Sequence, residues 1–193
     1  MGNIRRDIEV ERQGIALVRP LLMRWVRPGA DLIDTNNARQ SEVWQRTIGD
    51  FVMPMRDGSF SGVEVKTERR YTANFFVETW SNRAFGRSRV GWPYTLSADA
   101  LVMVYLDVRA AFVLPMPRLY AWLFDFGNLY RHQHRERPVH RSADGEQSNN
   151  TCGVPVPFSE LLKPVGGTCY RLLPDGWHQA DLADVVPLPR VTS

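Results

Sequence analysis

The sequence has few lysines and cysteines and no long apolar run. Among 24 Lys and Arg residues only Lys66 and Lys163 are lysines, so nearly every cation is written as arginine. Codon bias accounts for such a ratio, and under it a surviving lysine marks a position that needs an ammonium. The ammonium is a compact point charge with a shiftable pKa, whereas the guanidinium is a planar fork that stays protonated. Two cysteines, Cys152 and Cys169, are too few for a disulfide framework and too far apart for a CxxC pair. No apolar stretch reaches the ~18 residues a membrane span requires, and the opening MGNIRRDIEVERQG has no apolar core of a secretory signal. The expectation is a soluble cytoplasmic protein. A GxxxxGK[ST] phosphate loop and a GxSxG nucleophile elbow are both absent, which argues against a nucleotide-driven motor and a serine hydrolase.

What remains is ordinary globular material. A chain of 193 residues with 44% hydrophobic and 23% charged residues buries a core without disulfides or a structural metal. The net charge of +3 is too mild to establish a nucleic-acid partner by itself.

Ile4, Ile8, Ile15, Val18, Leu22 and Trp25 recur at helical spacing and predict an amphipathic first helix. Gly14 weakens that helix, and Pro20 kinks or ends it. Glu11 sits on the same stripe, where a carboxylate is either satisfied by a buried partner or aimed at a site. Residues 28–42 read as a polar connection. GDFVMPM (49–55), a turn at 56–59 and SGVEVKTE (61–68) predict a β-hairpin. NFFVETW (74–80) reads as a third strand, and the continuous apolar LVMVYL (101–106) as a strand buried on both faces. AFVL (111–114) is a further strand, and PRLYAWLFDF (117–126) a helix with Pro117 at its start. Residues 127–151 are polar and basic and read as a long loop; later, PFSELLKPV reads as a short helix and CYRLL as a strand.

The chemistry gathers in the hairpin. Alternation along SGVEVKTE puts Val63 and Val65 on one face and Glu64 and Lys66 on the other. The preceding strand brings Asp50 beside them. Two carboxylates at one point repel each other and invite a hard divalent cation. Such an ion polarises phosphoryl oxygens and activates a bound water. An ammonium beside it orients that water and offsets transition-state charge, a task for which arginine is poorly suited.

Asp50…Glu64-Val65-Lys66 resembles the signature of the PD-(D/E)XK, or restriction-endonuclease-like, nuclease superfamily, with Gly49 where the family's name has proline. The resemblance implies an α/β fold, a restriction-endonuclease-like core with a mixed central β-sheet flanked by α-helices. It implies catalysis by Asp50, Glu64 and Lys66, with Mg2+, or Mn2+ in its place, held by Asp50, Glu64 and the backbone carbonyl of Val65. Many members carry a glutamate on the first helix near the metal, and Glu11 is similar to it. The implied organisation is a nuclease core over 1–126, a basic polar loop over 127–151 and a C-terminal extension over 152–193 packing on the core.

Between 69 and 89 stand Arg69, Arg70, Arg83, Arg87 and Arg89 against one acid, Glu78, with Tyr71, Phe75, Phe76, Trp80 and Phe85 interleaved. Arginines supply phosphate contacts and aromatics stack on bases, so the segment is expected to contact nucleic acid. Glu78 is either an additional acid at the site or a polar face residue, and Gln45 either lines the site or is solvated. His132, His134 and His140 have no acid or cysteine at ligand spacing. They read as solvated or as phosphate contacts beside Arg131, Arg135, Arg137 and Arg141. The expected function is a Mg2+-dependent nuclease acting on DNA, as a homodimer where both strands are cut. The alternative is a catalytically inactive nucleic-acid-binding or interaction module on the same scaffold.

Overall fold

The computed structural model describes residues 2–35, 48–82, 89–138 and 151–185. The chain divides into two units, each assembled from separate stretches of sequence. One comprises Met1–Thr72, Ser97–Met116 and Gly166–Ser193, and the other Ala73–Leu96 and Pro117–Val165.

The first unit opens with helix α1 (Gly2–Met23). Its buried positions are Val10, Gly14, Val18, Leu21 and Leu22, spaced three and four apart. The buried face is therefore turned away from Ile8, which is 44% exposed and does not belong to the stripe. Gly14 is the reason: a Cβ there would lie 1.8 Å from Thr67 Oγ1, so the helix approaches the sheet most closely where it has no side chain. Pro20 does not end the helix, which runs on to Met23.

Strands β1 (Ile33–Asp34), β2 (Phe51–Pro54), β3 (Phe60–Glu68), β6 (Ala100–Tyr105), β7 (Ala110–Pro115), β10 (Thr168–Leu173) and β11 (Gly176–Gln179) form a seven-stranded sheet in the order β1-β2-β3-β6-β7-β10-β11. All pairings are antiparallel except β3 with β6. The fold is thus mixed α/β with a mostly antiparallel central sheet. The hairpin of β2 and β3 forms as expected, with Phe51 opposite Val63.

Helix α1 packs on β3 and β6. Val18, Leu21, Leu22, Phe51, Val63, Val65, Val102 and Val104 meet there in one core. Burying that many apolar side chains, at about 1.5–3 kcal/mol each, is the main term holding the sheet in register. On the opposite face Leu101, Met103 and Tyr105 are also buried, so β6 is covered on both sides as its unbroken apolar run predicts.

The second unit holds a separate four-stranded sheet in the order β5-β4-β9-β8, made of β4 (Asn74–Asn82), β5 (Arg89–Val90), β8 (Arg137–Pro138) and β9 (Cys152–Pro157). The expected third strand is present, but it pairs with β9 and not with the hairpin. The edge of β3 that it would have needed is taken by β6. Helix α2 (Met116–Phe124) and a short α3 (Phe126–Tyr130) follow β7. Asp125 separates them, its side chain accepting from Gly127 N at the start of α3. The described part of the expected 127–151 loop is therefore not irregular: it holds α3, a 3-10 turn at Gln133–Arg135 and β8. Helix α4 (Phe158–Val165) follows β9. Among the described residues no helix is long and apolar enough to cross a membrane.

Candidate functional site

Strand β2 ends at Phe51, and the next residue toward the N-terminus is Asp50. Beyond that end β3 has lost its neighbour, and Val65 N donates to Asp50 Oδ2 at 2.9 Å where a ladder bond would otherwise fall. The N–H and C=O of one strand residue leave on the same edge. The Val65 carbonyl thus faces the edge that Asp50 occupies.

Two features hold Asp50 in place. Thr35, only 2% exposed, donates from its backbone N to the Asp50 carbonyl at 3.0 Å and from Oγ1 to the Gly49 carbonyl at 2.7 Å. Gly49 has φ +94, and a Cβ there would lie 2.6 Å from the Val63 carbonyl oxygen. Proline, whose ring fixes φ near −65°, is incompatible with that backbone. The glycine at this position is a requirement of the local turn.

Glu64 and Lys66 stand on the face of β3 away from the Val63–Val65 core, as alternation predicts. Asp50 and Glu64 are each 8% exposed, deep burial for carboxylates. Lys66 Nζ forms an ion pair with Glu64 Oε1. Burial holds the Glu64 carboxyl above its ordinary value against the pull of Lys66, and the charges of Asp50 and Glu11 push it the same way. Burial by itself would lower Lys66, but Glu64, Asp50 and Glu11 together outweigh it and raise the ammonium above its ordinary value. Glu11 is exposed on α1, yet near enough for its charge to be felt by both. Among the described residues, three carboxylates thus gather around one ammonium, a local deficit of positive charge.

That deficit fits a hard divalent cation. Among the described residues, no three His, Cys, Asp or Glu side chains stand close enough to hold a metal ion between them. The donor set on β2–β3 is two carboxylates and a carbonyl. This suits Mg2+, which retains several waters and binds through one or two carboxylates.

The other expected site residues fare differently. Arg69 and Arg70 are exposed directly after β3. Arg83 and Arg87 lie outside the described residues, as do Gln45, Phe85 and His140, and Arg89 belongs to β5. Glu78 belongs to β4 in the second unit. Of the described aromatics of this segment Phe75 is core, while Tyr71, Phe76 and Trp80 are half-buried. Tyr71 stacks on Phe112 with centroids 5.7 Å apart and meets Tyr105 edge-on at 5.2 Å, while Phe75 is fully buried against Trp92 and Phe158. His132 is neither solvated nor open to a phosphate: it is 7% exposed, with Nε2 3.3 Å from Glu160 Oε2. Thr35 escaped sequence reasoning because it lies in a polar connection next to a strand of only two residues.

Comparison with protein-family models, curated proteins and solved structures finds no match to this chain.

Proposed function

We propose that the chain is a divalent-metal-dependent nuclease that hydrolyses phosphodiester bonds of DNA. The observation that carries this reading is the Asp50–Val65 hydrogen bond at the end of β2. It brings the buried Asp50 carboxylate to the edge of β3 that the Val65 carbonyl faces, near enough to the Glu64–Lys66 ion pair for its charge to be felt there. Asp50, Glu64 and the Val65 carbonyl would hold Mg2+, or Mn2+ in its place. When bound, such an ion supplies Lewis-acid polarisation of the phosphoryl oxygens and a more acidic water.

Lys66 does the rest of the local work. Its ammonium, fixed by Glu64, orients the attacking water and offsets negative charge developing on the phosphoryl group. Glu11 adds negative charge from α1 that strengthens retention of a cation. Arg69 and Arg70, exposed just past Glu68, contact the phosphate backbone, and Arg83, Arg87 and Arg89 are further candidates for such contacts. A restriction-endonuclease-like core is the fold assignment that goes with this activity, and cutting both strands of a duplex calls for a homodimer.

The test is cleavage of plasmid, linear duplex and single-stranded DNA, with an RNA arm, in Mg2+, in Mn2+ and in EDTA. The expected result is divalent-dependent cutting that falls about a hundredfold to ten-thousandfold in Lys66→Ala and in Asp50→Asn. Undiminished cutting by both variants removes these residues from the mechanism. Salt-dependent DNA binding with no cutting in any metal supports instead the inactive binding module.

A further inference from the structure

The second unit contains a cavity of about 420 Å3 that the catalytic reading does not use. Small-molecule sites typically measure ~300–1,000 Å3. Its walls come from β4, β9, α2, α3 and the turn after α3. The break at Asp125 shapes its mouth: α2 ends in Phe124, α3 ends in Tyr130, and both side chains project outward, 67% and 66% exposed. Phe124 is braced by Tyr94, edge-on at 5.8 Å, and by Tyr120, stacked at 6.2 Å. Trp80 adds a further ring to the lining. A large exposed ring held rigid by other rings, as Phe124 is, is costly for folding alone and is typical of a recognition surface.

The polar part of the lining is equally specific. Glu136 lines the cavity and is fixed there, its Oε1 accepting from Thr79 Oγ1 at 2.8 Å. Gln133 lies one turn before it. A purely apolar ligand would cover the second oxygen of that carboxylate without offering it a donor, at a cost of about 1–3 kcal/mol. A phosphate would be repelled by it. The flanks carry the opposite sign: Arg131 and Arg135 are exposed, and Arg131 is held by the Gly127 carbonyl at 3.0 Å and Asn128 Oδ1 at 2.7 Å. These arginines disfavour a simple organic cation and attract an anionic chain running past the mouth.

A flat ring that donates N–H groups inward and is attached to phosphates outside satisfies all three conditions. We propose that this cavity binds an unpaired nucleobase of a nucleic-acid strand, stacked among Phe124, Tyr130 and Trp80, with Glu136 reading its pairing edge. Guanine is the preferred base, because its N1–H and N2 amino group present adjacent donors to one carboxylate. The inference rests on the nuclease reading and narrows its substrate class to nucleic acid with single-stranded or everted bases.

The experiment measures fluorescence anisotropy of labelled oligonucleotides in EDTA, so that binding is read without cleavage. The probes are an all-thymine strand, the same strand with one central guanine, and a fully paired duplex containing it. The guanine strand is expected to bind about tenfold more tightly than either of the others. Glu136→Gln abolishes the guanine preference, while Tyr130→Ala weakens both single strands about tenfold, within the range of one base–aromatic stack. Both side chains line an open cavity, and a circular-dichroism melt confirms that each variant is folded. Equal binding of the thymine and guanine strands, or a guanine preference that survives Glu136→Gln, overturns the proposal. If the wild type cuts DNA in Mg2+ while the guanine preference is absent, the cavity assignment fails and the nuclease reading stands. If the guanine preference follows Glu136 but nothing is cut in any metal, the cavity assignment stands and the nuclease reading fails.

Discussion

Strands β3 and β4 are built alike, nine residues each. Both bury an apolar pair on one face, Val63 with Val65 and Phe75 with Val77, and carry a glutamate between or beside that pair, Glu64 or Glu78. They differ in what happens along their edges. In β4 the partner β9 continues past the acid, and Glu78 lies opposite Gly153 in the ladder. In β3 the partner β2 stops at Phe51, and the Asp50 carboxylate takes the Val65 N–H that the ladder would have used. A second acid is thereby brought beside the first, with Lys66 two residues on. A glutamate on an alternating strand is ordinary; the early end of its neighbour turns one of these two strands into a candidate reaction centre.

The contrast is most easily broken at the two glutamates. Glu64→Gln is expected to reduce metal-dependent cleavage by at least about a hundredfold, whereas Glu78→Gln alters it less than about threefold, both read as initial rates on plasmid DNA. Equal losses would show that the end of β2 is not what distinguishes the strands.

The next largest effect concerns the turn into β2. Gly49→Ala imposes a side chain at φ +94 and a Cβ 2.6 Å from the Val63 carbonyl oxygen. Urea unfolding is expected to show a loss of about 2–4 kcal/mol, combining backbone strain with a displaced strand.

Gly14→Ala sharpens the same point on α1. Helix propensity alone predicts a gain of about 1 kcal/mol. The close approach to Thr67 predicts a net loss of about 1–2 kcal/mol, because a Cβ would meet Thr67 Oγ1 at 1.8 Å and Thr67 Cβ, which side-chain rotation does not move, at 2.7 Å. A stabilised Gly14→Ala variant would mean that α1 does not rest on β3 at this point.

The smallest effect is a pH dependence of the first unit. Burial, aided by Asp184 and Asp181, pushes the Cys169 thiol from 9.0 up to about 12. Burial, aided by Cys169, pushes Tyr71 from 10.0 up to about 12. Both groups are neutral when protonated, and the folded state holds the proton more tightly than the unfolded one. Their stabilising contribution is therefore complete below about pH 9 and is lost as pH rises toward 12. The urea midpoint is expected to decline across that window, and to decline less steeply in Cys169→Ala. A flat profile from pH 9 to 12 in the wild type contradicts this.

Much of the hairpin was legible in the sequence, because its information is local. Alternation assigned the faces of Glu64 and Lys66, and the turn residues at 56–59 joined the strands. The fate of NFFVETW was not legible, since its partner β9 lies more than seventy residues along the chain and only pairing decides the sheet. The stripe on α1 was misjudged at Ile8 because periodicity counts apolar side chains, and the residue that presses on the sheet is a glycine. His132 reads as solvated or as a phosphate contact for want of a nearby acid in sequence; its partner Glu160 comes from α4. Thr35 carries no motif at all and acts only through the carbonyls of Gly49 and Asp50. Composition alone leaves the two lysines equal; position separates them, Lys163 being exposed on α4 and Lys66 paired with a buried carboxylate.

The most direct measurement is an anomalous-difference map from crystals soaked in Mn2+. The account predicts a peak between the carboxylates of Asp50 and Glu64, within bonding reach of the Val65 carbonyl, that disappears in Asp50→Asn. Its contradiction would be Mn2+ bound elsewhere on the chain while the space between Asp50 and Glu64 stays featureless at millimolar metal.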